Sequence, residues 1–252
     1  MAEVPHAAGE GPALLILSAL KGELEPARRA AGAQERVEVP APARLFLCPG
    51  APEVWLGWSG MGRGPTEALL RALPGRPRHL LHLGVAGALD PTLQAGDARW
   101  LKEIQGPEGR YTCPPDPSLR ALLPELPEAG ALTVEKVAGA PAEKRALGKR
   151  FPELALVEME CAWVVPLARE LGCSLSCLRV VIDAVDADLP DLSASLDVVG
   201  EPRPLAFAGS LLRRPKSLAG LPRLARAFAR AQGVLSESVA RVLAARNTFA
   251  IS

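Results

Sequence analysis

"LALVEMECAWVVPLARELGCSLSCLRVVIDAVDADLP" runs from Leu154 to Pro190 and decides how the chain is read. Two apolar runs of strand length flank a helical pattern, and each ends on an acid, Glu160 after the first and Asp183 after the second. Most acids at strand ends are merely solvated, so the pair gains meaning only if other segments bring polar groups to the same place. "LALVEM", the helix "CAWVVPLAREL" and "SLSCLRVVI" predict a strand–helix–strand unit with a right-handed connection.

The same alternation extends upstream. Residues 1–12, "MAEVPHAAGEGP", carry turn formers without periodicity and read as a flexible leader. "ALLILS" is a strand, followed by a helix over Gly22 to Ala31. "RLFLC" and "EVWLGWS" are a strand pair joined by "PGAP". "GMGRG" leads into a helix over Pro65 to Leu73, and it matches neither a Walker loop nor a dinucleotide fingerprint, so a dinucleotide-dependent oxidoreductase is a weak alternative. "HLLHLGV", "DARWLKEI" and "ALTVEKV" are further strands, and "PAEKRALGKRF" is a helix. The expectation is one α/β domain over 13–190, with a central twisted, mostly parallel sheet flanked by helices, and a helical C-terminal extension over 191–252 packing on it. In such sheets ligands bind beyond the carboxyl ends of the strands. Glu23, the "GVAGAL" turn, Glu160 and Asp183 then converge on one rim.

Composition narrows the function classes. Net charge is +1 and 23% of residues are charged, which gives no global sign of nucleic-acid binding. No apolar run is long enough to span a membrane, and "GPALLILSAL" reads as a strand, not a signal peptide. Five cysteines in apolar runs read as reduced, buried thiols of a cytoplasmic protein. Cys173 and Cys177 lack an obvious His or second Cys pair to complete a metal site, and no metal is expected. The acids of "DAVDADLPD" read as solvated loop residues. Only 4% of residues are aromatic, so Leu, Val and Ala must build the core.

Four blocks resemble the purine nucleoside phosphorylase and nucleosidase superfamily, in particular the methylthioadenosine/adenosylhomocysteine nucleosidases. They are "ILSALKGELE", "SGMGRGPTEALLRAL", "LHLGVAGALDPTLQAGD" and the pair "VEMECAW…LRVVIDAVD", whose acids stand 23 positions apart. "GVAGALDP", "APAEKRAL" and "DADLPDLSASLDVVGEPRPLAFAGSLLRRPKSLAGLPRLAR" resemble a narrower, hopanoid-associated phosphorylase branch, whose substrate would be the lipid-linked nucleoside adenosylhopane. The resemblance implies cleavage of a purine N-glycosidic bond, of an adenosyl-type nucleoside, by hydrolysis or phosphorolysis. It implies no cofactor (phosphate as co-substrate if a phosphorylase) and a homodimer or larger homo-oligomer. A catalytically weak nucleoside- or lipid-nucleoside-binding protein on the same fold is the alternative.

Residue by residue, the resemblance gives Asp183 as the donor to purine N7. An exposed aspartate, ionised near pH 4, is the wrong acid at neutral pH, so burial at the end of "LRVVI" would have to raise it. Glu160 would accept hydrogen bonds from the ribose hydroxyls, with Met159 as an apolar floor. Glu158 is expected on the other side of the strand, outside this grip. Glu23 would activate water. His82, Gly84, Val85, Ala86 and Gly87 form the nucleophile or anion region. There the amides of Gly84–Gly87 would make a nest, and His82 is read as a packed core histidine ahead of a phosphate ligand. Ile182 replaces the serine that precedes the family's aspartate. The base-stacking phenylalanine expected near "VAGAPAEK" is missing, which leaves Pro141 or another segment to cover the purine.

The stretch Arg203 to Arg230 holds Arg203, Arg213, Arg214, Lys216, Arg223, Arg226 and Arg230 without an acid. At about 100° per residue, Arg223, Arg226 and Arg230 share one helix face, and Leu221, Leu224, Phe228 and Leu235 share another. Two readings follow. One is a helix docked on its own domain; the other is peripheral contact with the inner membrane face, where a lipid-linked nucleoside would be collected.

Overall fold

The computed structural model describes residues 11–187, 197–201 and 220–245. Most of the expected leader, and residues 191–196, 202–219 and 246–252 of the expected extension, lie outside the described residues.

β1 (Leu14–Ser18), "LLILS", is buried along its whole length because it is hydrogen-bonded on both edges and covered on both faces. It pairs in parallel with β4 (Ala51–Trp58) and with β5 (His79–Ala88). Beyond β4, the "PGAP" turn is too short for anything but an antiparallel return to β3 (Arg44–Cys48), and β2 (Gln34–Val37) adds the edge. α1 (Lys21–Ala30) and α2 (Arg63–Arg71) follow β1 and β4.

On the far side of β5 the sheet closes on itself. β5 pairs with β10 (Ser174–Asp183), β10 with β6 (Ala98–Gly106), and β6 with β8 (Glu128–Thr133). β8 pairs with β9 (Leu156–Glu158), and β9 returns to β5. Five strands thus make a ring, with β7 (Gly109–Thr112) hairpinned to β6 and α3 (Pro117–Leu122) between β7 and β8. α4 (Pro141–Arg150) and α5 (Cys161–Leu171) complete this half.

The α/β layout with flanking helices is as expected, but the sheet is mixed. Its parallel ladders join β4, β1, β5 and β10 in one run and β6, β8 and β9 in another. β9 runs against β5 while β10 runs with it, so α5 does not connect parallel strands, and the handedness expected for that unit does not apply. The reason is topological: β9 enters from the end of β5 that β10 reaches last.

α6 (Leu221–Ala244) lies against α1, β5 and β10. Its buried face is Ala231, Leu235, Val239 and Val242, and each Leu or Val so buried contributes about 1.5–3 kcal/mol. Gln232 donates through Nε2 to the Gly22 carbonyl at 2.7 Å, and Arg230 donates to the Ala95 carbonyl at 3.2 Å. This part of the tail is therefore docked on its own domain, the first of the two readings. Among the described residues no helix is long and apolar enough to cross a membrane.

Candidate active site

The site gathers around the last turns of β5. Glu23 projects from the first turn of α1 into the sheet and is buried. Its Oε2 accepts from the Leu20 amide at 2.9 Å, and its Oε1 accepts from the Val85 amide at 2.8 Å. Burial pushes the Glu23 carboxyl above the ordinary range, and the two amides and the Arg179 charge pull it part of the way back.

Glu158 and Glu160 divide at the end of β9. Glu158 does lie away from Glu160, but the alternation invoked for that expectation is corrected, since residues two apart share a strand face. The two acids separate because β9 stops at Glu158 and Glu160 sits at the N-cap of α5, with φ −129° and ψ −36°. Glu158 turns inward and caps α5, accepting from the amides of Glu160 and Cys161. It also accepts from the Thr133 hydroxyl and, at 2.9 Å, from Nη2 of Arg179. Burial alone would raise its carboxyl, but the Arg179 charge and these donors hold it below the usual range. Freed from capping, Glu160 reaches the other way and accepts at 3.1 Å from the amide of Gly62, in the turn after β4. That turn holds Gly62 at φ 80°, in the left-handed region that glycine tolerates. Burial, then the negative charges of Glu158 and Glu23, push Glu160 up to about 8 against the pull of Arg179. Met159, half-buried between them, accepts on its carbonyl from Trp163 Nε1 at 3.1 Å.

Asp183 arrives from β10. The β10–β5 register slips between Val181 and Asp183, so Ile182 is a bulged residue that packs on the core while Asp183 faces Gly87. Bulges of this kind re-aim a side chain. A Cβ on Gly87 would lie 3.2 Å and 3.3 Å from the two carboxylate oxygens of Asp183, so any larger residue would press on that carboxylate by a few tenths of an ångström. Asp183 is 4% exposed, and its Oδ2 accepts from Nζ of Lys144 at 2.5 Å. Burial raises its carboxyl while Lys144 opposes the rise.

Glu23 therefore lies at Val85 and Asp183 at Gly87, two residues apart on β5, and Glu160 is near enough to Glu23 for their charges to interact. One expectation for the anion region, the amide nest, is corrected. Gly84–Gly87 continue a regular strand laddered to β10 and β9, and the Val85 amide is taken by Glu23, so no nest of free amides forms. His82 and Ala86 are buried in the strand. His82 Nδ1 lies 3.0 Å from Arg179 Nη2, and burial and the adjacent Arg179 charge keep the ring neutral, unsuited to holding an anion.

His82, Cys161 and Cys177 present ligand-type atoms within 4.8 Å of one another, an assembly that their spacing in the sequence hides. Arg179 Nη2 lies 2.8 Å from Cys161 Sγ, so a guanidinium already stands where a cation would be placed. All five cysteines are free and buried.

Sequence reasoning missed Lys144 and Arg179. Arg179 left a signal, since a charge inside the apolar run "SLSCLRVVI" must find a buried partner. Lys144 left none, as it is one of several cations in a polar helix.

This architecture is that of nucleoside phosphorylases and nucleosidases. The chain belongs to the phosphorylase superfamily, whose family model matches residues 13–200. No curated protein sequence matches it. Solved structures share the fold at low identity. The 5′-methylthioadenosine nucleosidase of Arabidopsis thaliana superposes with a TM-score of 0.62 at 17% identity, over 91% of this chain and 95% of that one. The 5′-methylthioadenosine/S-adenosylhomocysteine nucleosidase of Helicobacter pylori, with butyl-thio-DADMe-Immucillin-A, gives 0.63 at 17%, over 91% and 98%. The corresponding Neisseria meningitidis nucleosidase, with methylthio-immucillin-A, gives 0.61 at 16%, over 90% and 97%.

Proposed function

We propose that the chain is an enzyme that cleaves the N-glycosidic bond of a purine nucleoside, with water as the attacking group. One observation carries this reading: of three buried acids from three separate segments, Glu23 and Asp183 lie against Val85 and Gly87 of a single strand, and Glu160 is near enough to Glu23 to feel its charge. Loss of a purine from C1′ leaves a cationic sugar. Glu160 accepts from the ribose hydroxyls and, once ionised, stabilises that cation. Asp183 supplies hydrogen bonding to N7 of the departing base. Glu23, made more basic by burial and held by two amides, takes the proton of the attacking water.

Hydrolysis is favoured over phosphorolysis by where the cation is. Arg179, whose charge reaches Glu23 and Glu160, has both Nη atoms engaged by the His82 carbonyl, His82 Nδ1, Glu158 and Cys161. A phosphate dianion beside Glu23 would meet a carboxylate in place of a guanidinium. The test is adenine release by the full chain from adenosine and methylthioadenosine, with and without phosphate. Release that needs no phosphate supports the reading. A strict phosphate requirement overturns the hydrolytic step, and no release under either condition favours a nucleoside-binding protein.

We propose further that the ribose 5′ substituent is a lipid of the adenosylhopane kind, met at an anionic membrane surface by a homo-oligomer. The sequence of the C-terminal segment supports this reading, and most of that segment lies outside the described residues. Preference for a 5′-lipidated adenosine over methylthioadenosine, and sedimentation with anionic but not zwitterionic vesicles, are the expected results. Equal rates and no sedimentation remove it.

A further inference from the structure

α4 is a polar helix with one buried residue, and that residue is a lysine. Lys144 has no solvent exposure, and its ammonium group has three acceptors: Asp183 Oδ2 at 2.5 Å, the Ala184 carbonyl at 2.7 Å and the Ala187 carbonyl at 2.8 Å. An ammonium has three N–H bonds, so all are used. The group thereby ties the carboxylate at the end of β10 to the first residues of the loop that follows. The residue preceding Asp183 offers no side-chain donor, since Ile182 packs on the apolar core. Among the described residues Lys144 is thus the side chain that fixes the Asp183 rotamer. It engages Oδ2, and Oδ1 has no hydrogen-bond partner among those residues.

The charged surroundings of Asp183 are simple. From β5 it faces Gly87, from α4 it faces Lys144, and in the loop after β10 the nearest acid in sequence, Asp186, is exposed. A carboxylate paired with a cation has no proton to donate, whereas the role proposed for Asp183 requires one. The pair resolves this conflict if the proton resides on the nitrogen at rest and crosses to the oxygen when a base is present.

We propose that Lys144 is a positioning residue that aims Asp183 at the purine and stores the proton Asp183 passes to N7. This rests on the reading of the chain as a purine nucleoside hydrolase. As the C1′–N9 bond breaks, its electron pair moves into the purine. N7 takes a proton from Asp183, Asp183 takes one from the Lys144 ammonium, and Lys144 is left as the neutral amine. Water adds to C1′ and gives its proton to Glu23. Exchange with solvent then returns a proton to Lys144 and removes one from Glu23.

The full-length wild type, Lys144→Met and Lys144→Arg are compared, with folding checked by circular dichroism. In turnover, Lys144→Met is expected to lower kcat about 100-fold with little change in KM, and to move the alkaline limb of the pH profile to lower pH. Lys144→Arg keeps the charge but does not release a proton, so it is expected to fold and to remain slow; it also carries the test if the Met variant fails to fold. Recovery of the wild-type rate and profile by Lys144→Arg, or an unchanged profile in Lys144→Met, overturns the proposal. A second readout needs no turnover. Adenine affinity of the wild type is expected to hold steady from about pH 6 to about pH 9, that of Lys144→Met to fall with rising pH and that of Lys144→Arg to be weak throughout, while binding of 7-deazaadenine changes in neither variant. Equal pH dependence of adenine binding in the wild type and Lys144→Met, or wild-type affinity in Lys144→Arg, overturns the proposal even if no nucleoside is cleaved. Absence of base release alone overturns only the hydrolase reading.

Discussion

The molecule buries two ion pairs, and they are built differently. Arg179–Glu158 lies inside the strand ring with both partners at most a few per cent exposed. Around it are the Thr133 hydroxyl, two amides, a thiol and the His82 ring. Lys144–Asp183 is equally buried but lies at the end of β10, where the cation is fully engaged and the acid keeps an oxygen without a partner among the described residues. Burial of charge alone therefore does not mark a reactive group. A sealed pair holds structure together, while a pair with a spare acceptor on a shared floor with other acids is placed to meet a ligand.

Substitutions should separate the two pairs. Arg179→Met leaves Glu158 buried without its cation and is expected to lower unfolding free energy by about 3–5 kcal/mol, read from urea denaturation. A loss under 1 kcal/mol would mean the ring tolerates the lone carboxylate. Asp183→Asn is expected to lower kcat by about 10²–10⁴-fold while the protein remains folded, measured as base release against a thermal melt. If Arg179→Met spares stability but abolishes turnover, the assignment of the two pairs is reversed.

Two smaller effects sharpen the contrast. Leu235→Ala removes a fully buried side chain of α6, and a loss of about 2–5 kcal/mol in urea is expected if that helix belongs to the core. Glu160 gives a pH signature. Its folded carboxyl keeps its proton to about 8, whereas the ordinary value is 4.5, so the folded state binds the extra proton between these limits. Its contribution to stability is accordingly highest at the acidic end and is lost as pH rises toward 8. Glu160→Gln should flatten that part of the stability profile, and identical slopes in the two proteins would show that the carboxyl titrates normally.

Much of this was legible in the sequence, for physical reasons. Apolar runs such as "LLILS" and "SLSCLRVVI" announce strands covered on both faces, and α5 begins and ends where its pattern does. Glu160 and Asp183 follow the ends of apolar runs, so their places were readable, while Glu23, in the first turn of α1, was singled out by the family resemblance. Direction was not. Nothing in "LALVEM" says that β9 runs against β5, because alternation of side chains is the same for both directions. Nor does local pattern reveal long-range pairing: Lys144 meets Asp183 across 39 positions, and His82 meets Cys161 across 79. The split of Glu158 from Glu160 depends on a single non-strand backbone conformation at residue 160, which no periodicity encodes.

The docking of α6 has a practical side. Phe228 would stand 3.1 Å from a Cβ at Gly22, and Gln232 bonds the Gly22 carbonyl, one residue before Glu23. A shortened protein that stops before Leu221 would bring solvent to the back of the helix that carries Glu23. Fusion partners or affinity handles that replace those last turns would therefore change the chemistry they were meant to report.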